Sequence, residues 1–134
     1  MSVKQVLRWA KGITSAPTIV AAGTGVDYQA VNGLDVTLEN DQDQTQIDFQ
    51  VVASFSANPA LVRFVVAVDG VVDPTQLVEV TWAVVTAALF SGSFAPLVGA
   101  GLHRYQLYMT ATNAVTITLT AQQRQMRVAT LLGA

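Results

Sequence analysis

The chain contains one histidine, His103, and no cysteine. One imidazole cannot supply a multi-histidine metal site, and without thiols there is neither thiolate chemistry nor a Cys-ligated zinc. A Ser-His-Asp set would have to be assembled around His103. Ser91 and Ser93 are close by in sequence, but Ser91-Gly92-Ser93 has the composition of a turn, and no nucleophile elbow surrounds either hydroxyl. His103 is therefore read as structural, and no catalytic residue is assigned.

Two pairs of nearby carboxylates stand out: Asp41 with Asp43 in one polar stretch, and Asp69 with Asp73 on either side of a short apolar one. Acids two residues apart can share a calcium ion, but an EF-hand spacing is not completed and no glycine falls within 39–45. Solvated turns are expected and no metal or cofactor is assigned. Whether any two acids are spaced for glycoside cleavage depends on which strands are neighbours. Gly23-Thr24-Gly25 and Gly99-Ala100-Gly101 lack the strand-to-helix context and the Lys-Ser/Thr of a phosphate loop, and read as loops with small side chains. Trp82 and Tyr105 fall on inward faces, where core packing is the default. Trp9 lies outside the apparent sandwich, where it could anchor an interface or pack on its own domain.

The elements that would position these residues are strands. Residues 1–17 stand apart: Val3, Val6, Leu7 and Ala10 have helical spacing, with Lys4, Arg8 and Lys11 between them, and Gly12 and Pro17 interrupt any longer helix. A short helix or extended arm is expected there, followed by a β-sandwich domain over 18–134. Thr18–Ala22 is a short strand. In 33–39, Leu34, Val36 and Leu38 alternate with polar residues, and 40–44 is a polar loop. Over 45–55, Ile47, Phe49, Val51, Ala53 and Phe55 face one way and Gln46, Asp48, Gln50 and Ser54 the other, with Val52 as the exception. Ala60–Val68 is apolar on both faces apart from Arg63, the pattern of a strand covered on both sides. Asp69-Gly70 reads as a hairpin turn into Val71-Val72, with Asp73-Pro74 ending that short strand.

Further alternation places Val78, Val80, Trp82 and Val84 on one face, then Tyr105, Leu107, Met109 and Ala111, then Val115, Ile117, Leu119 and Ala121, and last Met126, Val128 and Leu132. Ser91-Gly92-Ser93 and Asn113 mark turns. About eight to nine strands with turn signals between them, and no helical pattern after residue 17, indicate an all-β fold: a jelly-roll sandwich of about eight strands with a short N-terminal arm or helix. No internal repeat points to a propeller or solenoid.

The 134 residues suit one domain with one core. They are 51% hydrophobic and only 12% charged, where about a quarter is usual. This deficit points to an oligomer that covers part of the monomer surface, or to a well-filled core under a Thr/Gln/Asn surface. Net charge is −2, which gives no sign of nucleic-acid binding. Lys4, Arg8 and Lys11 are three of seven basic residues, and Asp35, Glu39, Asp41, Asp43 and Asp48 form an acidic stretch. The two segments could pair between neighbouring subunits or simply be solvated. Apolar stretches around 61–68 and 82–90 fall short of the roughly twenty residues of a membrane-spanning helix. The basic N-terminus is followed by no apolar run of signal-peptide type. No membrane partner is expected.

The order of features in the second half resembles a known family. Arg63-Phe64-Val65-Val66-Ala67-Val68-Asp69-Gly70 precedes Val98-Gly99-Ala100-Gly101-Leu102-His103-Arg104-Tyr105-Gln106-Leu107. Ala114-Val115-Thr116-Ile117 follows, then Arg124-Gln125-Met126-Arg127-Val128. A strand ending in Val-Asp-Gly, a Gly-x-His strand and a last strand opening with Arg resemble the small jelly-roll proteins of tailed phages. These look like the trimeric tumour-necrosis-factor-type sandwich and occur as capsid decoration (cement) proteins and fibre domains. The likeness covers roughly residues 28–132 and carries no catalytic residue.

It implies a structural virion protein rather than an enzyme. Made in the host cytoplasm, a homotrimer would bind the outer capsid surface through the major capsid protein and stabilise the lattice by mass action. On that reading Phe64, Val66, Val68, Tyr105 and Leu107 are expected at the trimer interface, and Lys4, Arg8, Trp9 and Lys11 in the arm at the shell. An alternative is a tail-fibre or other virion β-sandwich that binds a receptor or sugar, although the loops at 40–44, 56–59 and 91–95 are nearly free of aromatic residues apart from Phe94. A cupin-like enzyme would need more His ligands than one. A tail or neck subunit is compatible with the same composition.

Overall fold

In the computed structural model, which describes residues 4–11, 17–40 and 44–132, the chain forms nine strands and, among the described residues, no helix. They are β1 (Lys4–Lys11), β2 (Thr18–Ala22), β3 (Gln29–Asn40), β4 (Gln44–Phe55), β5 (Ala60–Val68), β6 (Val71–Trp82), β7 (Ala88–Phe94), β8 (Gly101–Ala111) and β9 (Ala114–Leu132). A five-stranded sheet runs β1-β9-β4-β7, with β2 also on β9, and faces a four-stranded sheet of order β3-β8-β5-β6. Every pairing is antiparallel. This is the expected all-β, jelly-roll-like sandwich.

Alternation puts one side of each strand into the core. Ile47, Phe49 and Val51 of β4 and Phe64 of β5 belong to one core between the sheets, and the Phe49 and Phe64 ring centroids are 4.7 Å apart. Phe94 stacks on Phe49 at 5.4 Å, and Trp82 meets Phe90 edge-on at 5.3 Å.

Several sequence expectations change. Residues 4–11 are neither helix nor free arm: β1 is a strand of the sandwich, in register with 125–132 of β9. The reason is the length of β9. Its 19 residues outrun β2, which covers only 114–118, so the remaining edge needs a second partner for its N–H and C=O groups. That demand outweighs a local helical spacing. Val3, Gly12, Asp41 and Asp43 lie outside the described residues.

Asp73-Pro74 does not end a strand either. β6 runs on to Trp82, with residues 73–76 bulged between the Val72–Ala67 and Leu77–Val65 pairs. An edge strand tolerates a proline, whose missing N–H is not needed on the solvent side. Asp73 closes the bulge by accepting from the Thr75 N–H at 3.0 Å and hydroxyl at 2.6 Å.

Two other bulges face each other. Residues 31–34 of β3 and 120–123 of β9 have no ladder partners, and Arg124 spans them. Its side chain is 1% exposed; Nε donates to the Asn32 carbonyl at 2.7 Å and Nη1 to the Thr120 carbonyl at 3.2 Å. Burial holds its pKa below the usual arginine value.

Candidate functional site

Two concave places on the sandwich bring polar side chains together. The first closes one end. The β5–β6 hairpin turns on Asp69 (φ 53°) and Gly70 (φ 82°), the two positive values that a tight turn of this kind requires. The Asp69 N–H donates to the Arg104 carbonyl at 2.8 Å, and its Oδ1 accepts from the Arg104 N–H at 2.9 Å, which pins the hairpin to β8. His103 then links this turn to the β7–β8 loop: Nδ1 lies 2.6 Å from Asp69 Oδ2 and Nε2 lies 2.9 Å from the Gly99 carbonyl. Both ring nitrogens face acceptors, so the arrangement is complete only when both carry protons. The hydrogen bond to Asp69 raises the His103 pKa above its ordinary value against an opposing contribution from burial. The Arg104 N–H and then His103 hold the Asp69 carboxyl below the usual carboxylate range. Beside them lies a cavity of about 450 Å³, lined mainly by Val68, Val71, Val72, Pro74, Pro96 and Leu97, with Asp73 at its rim.

This end is a clamp rather than a catalytic set. Ser93 is on β7 in the other sheet, where its hydroxyl donates to Asp48 at 2.6 Å, and Ser91 follows the same strand. Neither serine meets His103, whose two nitrogens are already occupied. Among the described residues no cluster of three His, Asp or Glu side chains forms; Asp69 is engaged by His103 and Arg104, and Asp73 by Thr75.

The second place is a groove of about 420 Å³ on the outer face of the five-stranded sheet. Register creates it. Arg127 of β9, Asp48 of β4 and Ser93 of β7 stand in one row, and Gln125, Gln50 and Ser91 in the next. Along the first row the Arg127 guanidinium and the Ser93 hydroxyl both donate to Asp48, Arg127 Nε at 3.1 Å to Oδ2. Along the second, Gln125 Nε2 donates to Gln50 Oε1 at 2.9 Å. Partial burial works against the Asp48 carboxylate, but hydrogen bonds from Ser93, Arg127 and Gln46 prevail and hold its pKa low.

The expected interface residues lie elsewhere. Phe64, Val66, Tyr105 and Leu107 are 0% exposed within the monomer's own core, so they are not a surface between subunits. Their strands are central in the four-stranded sheet, and one face of each fills the space between sheets. Val68 is half-buried at the edge of the end cavity. Tyr105 donates its hydroxyl to Asn40 Oδ1 at 2.8 Å, and Asn40 Nδ2 donates to Thr45 at 2.7 Å, a polar link buried at the end of the core.

Of the four residues expected to grip a partner, Trp9 and Lys11 hold register positions opposite Arg127 and Gln125, at the ends of the two polar rows. Lys4 and Arg8 belong to the alternate set, opposite Leu132 and Val128. The side chains of all four lie outside the described part of the structure. Sequence reading placed Gln46, Asp48 and Gln50 outward, but missed their alignment with Gln125, Arg127, Ser91 and Ser93. The only available signal was alternation, which says nothing about neighbours.

No protein-family model matches the chain, and no curated protein does. Solved structures do. The Eiger tumour necrosis factor of S. frugiperda aligns at TM-score 0.59 and 10% identity, over 97% of this chain and 94% of that one. A chain in the structure of infectious bursal disease virus, Gx strain, aligns at TM-score 0.53 and 6% identity, over 94% of this chain and 32% of that longer one. A looser likeness, at TM-score 0.47 and 14% identity, is to the CBM36-1 domain of a multidomain xylanase from the hindgut metagenome of Trinervitermes trinervoides, over 98% of both chains. At these identities the likeness is one of fold.

Proposed function

We propose that the chain is a non-catalytic structural module of a virus particle, a homotrimeric decoration (cement) protein on the outer capsid surface of a tailed phage, bound to the major capsid protein. The observation that carries this reading is one lateral edge of the sandwich. β6 and β7 are the edge strands of their sheets and are consecutive in the chain. Between residues 71 and 97 lie Val71, Leu77, Val84, Val85, Leu89 and Leu97, each 44% to 91% exposed. An open strand edge with apolar side chains along it is unfavourable in water and is normally covered. A second copy that covers it with a different surface makes a heterologous contact, which gives a ring when the rotation between copies closes. The number three rests on the tumour-necrosis-factor-type resemblance. β1 lies at the opposite edge of the five-stranded sheet from β7, which leaves the Trp9 and Lys11 positions for contact with the shell.

Light scattering at micromolar concentration tests the self-contact. A trimer mass is expected, falling to a monomer in Leu77→Asp with Leu89→Asp while the far-ultraviolet spectrum is kept. A wild-type monomer would overturn the model. Because β1 belongs to the sandwich, shell binding is tested by Trp9→Ala with Lys11→Ala rather than by deletion. Loss of co-sedimentation with phage heads at unchanged trimer mass is expected, and undiminished binding would exclude β1 as the contact.

A further inference from the structure

We infer that the groove on the outer face of the five-stranded sheet is a binding site for a neutral, hydroxyl-rich glycan chain. The argument starts from the side chains. A sugar hydroxyl both donates and accepts, so a surface that recognises several of them must offer both kinds of group in fixed positions. The groove does so. Arg127, the Gln125 amide and the hydroxyls of Ser91 and Ser93 can donate, whereas Asp48 and the Gln50 carbonyl oxygen accept.

These groups are held in place before any ligand arrives. Ser93 and Arg127 are fixed on Asp48, and Gln125 on Gln50 at 2.9 Å. Long side chains already restrained by cross-strand partners lose less rotamer freedom on binding. The two rows are two residues apart on each strand, so they run side by side across three strands and leave a trough between them.

Charge and shape select the ligand class. Arg127 and Asp48 neutralise each other, and the other lining groups at 50, 91, 93 and 125 are uncharged. Among the described lining residues a polyanion such as nucleic acid or a sulfated glycan would find no surplus positive charge. An apolar ligand would take water from these polar groups without replacing its hydrogen bonds. A volume of about 420 Å³ lies within the usual range for small-ligand clefts.

The inference does not depend on the trimer or on the particle to which the chain belongs. The test is a titration of the intact 15N-labelled protein with uncharged hexasaccharides (cellohexaose, maltohexaose and xylohexaose) and with heparin as the anionic comparison. At least one neutral hexasaccharide should shift the side-chain amide resonances of Gln50 and Gln125 and the backbone amides of β4, β7 and β9. Gln50→Ala and Gln125→Ala should each weaken binding at least about tenfold while leaving the melting temperature within error. Heparin should leave these resonances in place. Absence of any shift with all three sugars up to about 10 mM would overturn the inference. So would shifts confined to the His103 end, or affinity unchanged in both Gln variants.

Discussion

Replacing Gly92 by alanine should destabilise the fold although the glycine sits in an edge strand. A Cβ at position 92 would lie 2.9 Å from Phe49 Cε1 and 3.0 Å from both Val78 methyl carbons. Carbon atoms in contact prefer about 3.5–4.0 Å, so three core atoms would have to give way by roughly 0.5–1 Å. Overpacking of this kind costs about 1–3 kcal/mol. Gly92 has no positive φ, so alanine also recovers about 0.4–1 kcal/mol by restricting the unfolded chain. The net loss is up to about 2.6 kcal/mol, centred on about 1.3 kcal/mol. Unfolding entropy of about 2.1 cal/mol/K per residue over 134 residues translates this into a fall in Tm of up to about 9 °C, centred on about 5 °C. Calorimetry on Gly92→Ala and Gly99→Ala measures it, because Gly99 has nothing within 4 Å of its Cβ position and should hold or gain stability. Adding Val78→Ala to Gly92→Ala should recover part of the loss, with a favourable coupling of about 0.5 kcal/mol or more. A Gly92→Ala protein as stable as Gly99→Ala, or zero coupling with Val78→Ala, would refute the close-approach argument.

Two other outcomes follow from the end of the sandwich. His103 is the only imidazole in the chain, so its ring protons give one unambiguous NMR titration, with a midpoint expected above the ordinary 6.5. A histidine pKa raised in the folded state stabilises fully below the unfolded value and loses that contribution as pH rises through the folded value. Asp69, whose pKa is lowered, contributes above its unfolded 3.8 and loses that as pH falls. Protection of the β7–β8 loop from hydrogen exchange should therefore be greatest between about pH 4 and 6.5 and weaken at alkaline pH, and His103→Ala should flatten the profile. A midpoint at or below 6.5 would contradict the double hydrogen bond. Tyr105→Phe should cost about 1–3 kcal/mol in denaturant unfolding, since it leaves Asn40 Oδ1 buried with its phenol donor gone. A loss below about 0.5 kcal/mol would show that Asn40 finds another donor.

Alternation was sufficient to locate most strands. β2 and β5 begin and end where their apolar runs do, and the inward sets of β4 and β8, with Val115, Ile117, Leu119, Met126 and Val128 of β9, are those read from period two. Asp69-Gly70 is the hairpin turn that its composition demands. These features are local: each follows from the backbone preferences of a few adjacent residues and from which side chains avoid water. Punctuation was less dependable. Pro74 and Gly92 read as breaks, yet both lie within strands, because an edge position excuses the proline and the neighbouring Phe49 and Val78 leave room only for a glycine. A glycine inside a strand is itself a sign of close approach, and that reading of Ser91-Gly92-Ser93 was available.

Tertiary structure alone decided everything that depends on pairing. Residues 1–11 look helical until the 19-residue β9 presents an edge for β1 to cover. Phe64, Val66, Tyr105 and Leu107 look like surplus apolar surface until the second sheet is laid over them. The groove is spelled by Asp48, Ser93 and Arg127, residues as far as 79 positions apart that strand register alone places in one row. Sequence by itself determined the period, the turn chemistry and the small number of groups able to do catalysis. Which strands are neighbours is set by hydrogen bonds between distant segments, and no run of adjacent residues encodes it.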